Sequence, residues 1–133
     1  QADVYTQRRD MLRQDLQELD QRIRVLLKDV SPRYLLVQHP AWDYFADAYD
    51  FEQISIERDG HEPNARHLVK VIEFALANKL DHVFVQRQYR QAAARIVAEA
   101  VSAKIMHLDP LAENYIDNLY NVAVAISQSN NNE

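Results

Sequence analysis

Two residues stand where a folded domain could use their chemistry: His39, in the run YLLVQHPAW, and Asp109, in the run KIMHLDPL. Each follows a short apolar run, residues 34–37 in the first case and 104–108 in the second, and such runs read as strands buried on both faces of a parallel sheet. Open α/β sheets place ligand groups at the carboxyl ends of their strands, so both side chains are expected on one edge. A neutral imidazole and a carboxylate converging there suit a borderline divalent cation such as Zn²⁺, and tolerate Mn²⁺ or Fe²⁺. Each residue also has a plainer use: His39 as a helix cap or loop filler, and Asp109 as the N-cap of a helix opening at Pro110, a role compatible with ligation through its other oxygen. Two ligands are half of a tetrahedral shell. Among the remaining histidines, His61 and His107 are the candidates to complete it, the latter because it alternates with Asp109 along the chain and so shares its face. A lone histidine is more often structural or solvated, and His67 and His82 carry still less.

The elements that must position these groups can be read from periodicity. Residues 3–30 contain neither Gly nor Pro, and Leu12, Leu16, Leu19, Ile23, Leu26 and Val30 recur at alternating steps of four and three, which makes one apolar stripe on a long amphipathic helix. Such a helix is roughly 40 Å long, whereas a compact domain of this size has a radius of gyration of about 14 Å. It should overhang its domain, and the overhanging stripe then needs a partner helix or another lobe of the same protein. Beyond Pro32, strands at 34–37, 53–56, 82–85 and 104–108 alternate with helices at 42–49, 64–78, 89–101 and 111–126. Four βα repeats imply an α/β fold, a four-stranded mainly parallel sheet with helices on both faces. Glu62 and Pro63 should set the start of the helix at 64–78, and Asn78 is suited to a left-handed stop. Tyr44, Phe45, Tyr49 and Phe51 read as core aromatics rather than as the wall of a cleft. The expected organisation is a backbone helix over 1–31, an α/β lobe over 32–127 and a disordered Asn-rich tail over 128–133.

Composition removes several function classes. The chain has 133 residues, 47% hydrophobic and 26% charged, enough for one core without staples. Its net charge of -5 is spread over interleaved acids and bases, with no Lys/Arg stripe to track a nucleic-acid backbone. The chain has no Cys, so thiolate zinc sites and Cys nucleophiles are excluded. The single glycine, Gly60, lies in the RDGHEP turn, which leaves no glycine-rich phosphate cradle. There is no GxSxG elbow, no HExxH and no signature pair of carboxylates, so the expectation is a protein that is not an enzyme. A receiver-like domain would want an acidic pair after its first strand, where this chain has Gln38 and His39. No apolar run approaches eighteen residues and no signal core follows a basic start. The chain opens at Gln1 without an initiator Met, as expected where a signal or lipid-anchor segment has been removed.

The runs HPAWDYFADAY, QISIE and HEP, followed by LDPLAENYIDNLYNVA, resemble the C-terminal lobe of the zinc/manganese-type metal-binding solute-binding proteins of bacterial ABC transporters. The resemblance extends from the first helix to about Ser127. It implies that the long helix joins two lobes as a stiff backbone, and that His39, from the HxAxxYF block, and Asp109, from the DPL block, are the two metal ligands supplied by this lobe. Two further histidines would come from an N-terminal lobe. The implied cargo is a zinc ion, with manganese possible; a His at position 39 tilts the choice to zinc, where a carboxylate would lean to manganese. The implied partners are an ABC permease and the other lobe, and the implied location is periplasmic or extracytoplasmic. One departure is visible: where the family often reads Val-Glu-Pro-Gln after the third strand, this chain has Val85, Gln86, Arg87 and Gln88, an Arg and no carboxylate near the cleft edge. The alternative from another class is a non-metal interaction module that dimerises through its first helix, with Leu19 and Ile23 in the seam.

Overall fold

Four short strands pair in parallel in the order β2-β1-β3-β4. The computed structural model describes residues 2–31, 33–87, 90–107 and 115–130. Its elements are α1 (Ala2–Leu27), β1 (Tyr34–Val37), α2 (Asp43–Tyr49), β2 (Glu52–Ser55), α3 (Ala65–Ala77), β3 (His82–Val85), α4 (Ala92–Val101), β4 (Lys104–His107) and α5 (Tyr115–Asn130). This is the expected α/β fold. The central strands alternate between two cores: Leu35, Val37 and Phe84 pack with α1, α2 and α5 on one face, and Leu36, Val83 and Val85 pack with α3 and α4 on the other. Burial on both faces is why residues 35–37 and 83–85 are apolar throughout.

Several boundaries differ from the periodic reading. Strand β2 begins at Glu52, one residue early, because Glu52 N–H donates to the Arg33 carbonyl at 3.0 Å. Helix α5 runs to Asn130 and takes in the first residues of the stretch expected to be a tail; residues 131–133 lie outside the described residues. Asn78 does not adopt the left-handed conformation. Lys79 does, at φ 55°, while Asn78 donates its side-chain amide to the Phe74 carbonyl at 2.9 Å. Asn64 caps the start of α3 by accepting the His67 N–H at 2.8 Å. Glu62 is exposed and pairs with Arg90 at 3.5 Å.

The three helix-to-strand turns within the described residues close in the same way. Asp50, Lys79 and Ser102 are left-handed, and the next residue donates its N–H to a carbonyl five positions back: Phe51 to Ala46, Leu80 to Ala75 and Ala103 to Ala98, at 2.8–2.9 Å. This is the Schellman closure, normally made with glycine. In a chain with one glycine it is made with side chains that prefer other conformations.

The lower half of α1 belongs to the domain. Ile23 and Leu27 are fully buried, and Leu19 and Leu26 pack against the same core. The dimer seam anticipated at Leu19 and Ile23 is therefore already occupied by the chain's own α2, α5 and sheet. Val4, Tyr5, Met11, Leu12 and Leu16 remain exposed. Two polar contacts fix the rod. The Arg33 guanidinium donates to the carbonyls of Leu27 and Val30 at the end of α1 and of Tyr49 and Asp50 at the end of α2, and lies 4.5 Å from the Phe51 ring centroid. The Tyr49 hydroxyl donates to Asp20 at 2.9 Å, and Asp20 accepts from Arg24 at 2.9 Å.

Three outcomes follow from these contacts. Arg33→Ala strands the terminal carbonyls of two helices and should lower stability by about 2–3 kcal/mol, read as a fall in Tm of roughly 8–12 °C. Ser102→Gly relieves a left-handed side chain and should raise stability by about 0.5–1 kcal/mol in denaturant unfolding. Arg24 holds the Asp20 carboxyl below its usual range, so its contribution is present above the unfolded value and is lost as pH falls through the folded one. Burial and the bond to Asp20 push the Tyr49 phenol up, so its contribution is present below the unfolded value and is lost as pH rises past it. With Arg24 56% and Asp20 41% exposed, solvent screens the pair, so the acid-side loss should be small, and Asp20→Asn should flatten it in a stability-versus-pH series.

Candidate metal centre

The carboxyl edge of the sheet is where the core turns polar. Among the described residues the buried polar side chains are Gln38 and Gln86, which follow β1 and β3 directly. The Gln38 side-chain oxygen has no hydrogen-bond partner among the described residues. Arg87, by contrast, is exposed, so the departure from the family pattern puts a buried amide at the exit of β3 and turns the guanidinium-bearing residue toward solvent.

Beyond β1 the parallel pairing with β2 continues. Ile56 N–H donates to Val37 O at 2.8 Å and Glu57 N–H to Gln38 O at 3.0 Å, while Ser55 Oγ donates to Glu57 O at 2.8 Å. The chain then leaves β1 through His39 and enters α2, whose first turn is tied down by Gln53: its side-chain oxygen accepts the Trp42 N–H at 2.8 Å, and its amide donates to Asp43. His39 and Glu57 thus leave neighbouring strands side by side, and His39 Nδ1 lies 2.8 Å from Glu57 Oε2. Both side chains are partly buried, at 29% and 15% exposure. An ionised carboxylate only accepts, so Nδ1 carries the proton and, in the neutral ring, Nε2 carries the lone pair. A ring in that tautomer is equipped to bind a cation through Nε2.

The other histidines occupy separate places. His61 is exposed in a tight turn, paired through the backbone with Arg58 and preceded by Asp59 and Gly60 at positive φ. His67 donates Nε2–H to the Ser55 carbonyl at 3.0 Å, a structural role. His82 sits at the opposite, amino edge of the sheet, 2.9 Å from Asp81. His107 is exposed at the end of β4, in register with Val85. Asp109 follows it by two positions and lies outside the described residues. Among the described residues no three His, Asp or Glu side chains are grouped to hold a metal ion. Of the four aromatics expected in the core, Phe45, Tyr49 and Phe51 are buried, whereas Tyr44 is 78% exposed and departs from that expectation. Glu57 is the residue that sequence reasoning passed over. It stood inside the QISIE run, and its signal is positional, since it follows β2 as His39 follows β1.

A parallel α/β lobe with a polar carboxyl edge and a long helix on one face defines the class of fold. Residues 1–129 match the family model described as ZnuA, zinc-uptake complex component A, periplasmic, and the chain belongs to that family. It is 29% identical over 127 residues to a putative metal-binding protein of Chlamydia muridarum, covering 95% of this chain and 46% of that one. It is 26% identical over 130 residues to the zinc-binding lipoprotein AdcA of Streptococcus pneumoniae, covering 89% and 26%. Among solved structures, the crystal structure of ZnuA superposes with a TM-score of 0.82 at 36% identity, covering 87% of this chain and 46% of that one. A zinc-bound ZnuA deletion mutant gives 0.79 at 36% identity. The laminin-binding protein Lmb of Streptococcus agalactiae, at 22% identity and a TM-score of 0.80, shares the fold. The chain spans about half the length of the Chlamydia protein and of the ZnuA chain.

Proposed function

We propose that this chain is the metal-capturing C-terminal lobe of an extracytoplasmic solute-binding protein that delivers zinc, with manganese as the second choice of ion, to an ABC-type importer. The observation that carries this reading is the His39 ring, held by Glu57 in a ligating tautomer at the carboxyl edge of the sheet. His39 and Asp109 are the two ligands this lobe contributes. They follow β1 and β4, which flank β3 in the sheet, so the two strand exits are separated by about 10 Å. Two side chains and two metal–ligand bonds of about 2 Å bridge such a gap.

Relatives named for zinc binding and zinc uptake support the choice of ion, and the periplasmic family description supports the location. The role is capture and transport, not catalysis. The remaining ligands belong to a second lobe. Helix α1 supports its placement, because the apolar stripe, buried at Ile23 and Leu27 and partly buried at Leu19, continues into exposed Leu12 and Leu16. A second globular body seated on that exposed half covers the stripe. The permease is the partner that receives the ion.

A complete zinc shell in a small domain releases about 10–16 kcal/mol, so two of four ligands should give roughly half, a Kd on the order of 1–200 µM. Calorimetric titration of the chain with Zn²⁺ should show one weak site that His39→Ala and Asp109→Ala each abolish. Equal binding by all three proteins would reject the assignment.

A further inference from the structure

We propose that Glu57 is the positioning residue for the His39 imidazole, fixing its tautomer and ring plane so that Nε2 meets the cation; this rests on the reading of His39 as a metal ligand. The Nδ1 to Oε2 distance of 2.8 Å is that of a charge-assisted hydrogen bond. Unconstrained histidine in water favours the opposite tautomer, with the proton on Nε2, where it blocks ligation. The carboxylate reverses that preference.

The backbone sets this geometry in advance. Glu57 N–H is bonded to Gln38 O, the residue before His39, and Glu57 O accepts from Ser55 Oγ, so neither strand exit can move without the other. Partial burial of the carboxylate limits the water that would compete for the ring proton. A carboxylate behind a ligating imidazole also raises the donor strength of the nitrogen on its far side and adds negative charge facing a dication. Glu57 acts on the metal through the ring.

The test begins without metal. Long-range ¹H–¹⁵N correlation spectra of the chain at about pH 8, where an ordinary imidazole is neutral, report which ring nitrogen of His39 carries the proton. The expected result is protonated Nδ1 in the parent chain and a shift toward protonated Nε2 in Glu57→Ala, with backbone amide signals away from the edge unchanged. Zinc affinity measured on the same samples should fall about 10–100-fold in Glu57→Ala. Glu57→Gln keeps an acceptor oxygen and should recover part of both effects. Protonated Nε2 in the parent chain would overturn the proposal, as would an unchanged zinc affinity in Glu57→Ala beside a His39→Ala variant that has lost binding. A Glu57→Ala loss as complete as that of His39→Ala, with the tautomer unaltered, would make Glu57 a ligand itself and end its positioning role. A His39→Ala variant that keeps its zinc affinity would remove the metal reading, and this inference with it, whatever the spectra report.

Discussion

The β1–β2 ladder does not stop where the strands stop. Two further backbone bonds, from Ile56 to Val37 and from Glu57 to Gln38, carry the pairing into the exits of both strands. Everything at the carboxyl edge depends on this extension. It places an imidazole and a carboxylate at the exits of adjacent strands, at contact distance, without asking either side chain to reach. Parallel pairing does this naturally, because equivalent positions on neighbouring strands leave the sheet at the same level. The His39–Glu57 pair is thus a product of register, and register is set deeper down by Leu35, Leu36 and Ile56 packing into their respective cores.

A second constraint holds the long helix. The stripe on α1 is one pattern in the sequence but two environments in the fold: below Leu19 it is core, above it is surface. Hydrophobic burial alone would let the helix slide or rotate on that face. The contacts that pin it are polar and local. Arg33 gathers the last carbonyls of α1 and α2, and Asp20 receives the Tyr49 hydroxyl. Fork geometry suits Arg33 to this task, since one guanidinium offers several donors in a plane and its face can lie on Phe51.

Much of this architecture was legible in the residues. The apolar runs at 34–37 and 83–85 marked the central parallel strands, and the step of four and three marked α1, because burial on two faces or on one stripe leaves those patterns. Element order followed from βα alternation. The ends of elements were less readable. The stop after α3 falls on Lys79 and not Asn78, because the Schellman closure places its left-handed residue by hydrogen-bond geometry, whatever the propensity of the neighbouring side chain. In the site, His39 announced itself by type and position, whereas Glu57 did not. A glutamate after a strand is ordinary in sequence, and its meaning arises only from which strand lies next to which. The alternative of a dimer seam at Leu19 and Ile23 gives way for a related reason: periodicity shows that a face is apolar, and only the fold shows what covers it.

Arg33 and the Asp20–Tyr49 pair have a mechanical corollary. They fasten the rod to α2, and α2 is separated from His39 only by Pro40, Ala41 and Trp42. The end of α1 and the loop bearing the imidazole are therefore joined twice, through α2 by these contacts and through β1 by the chain itself. Any bending between the two has to break the Arg33 and Asp20 bonds first.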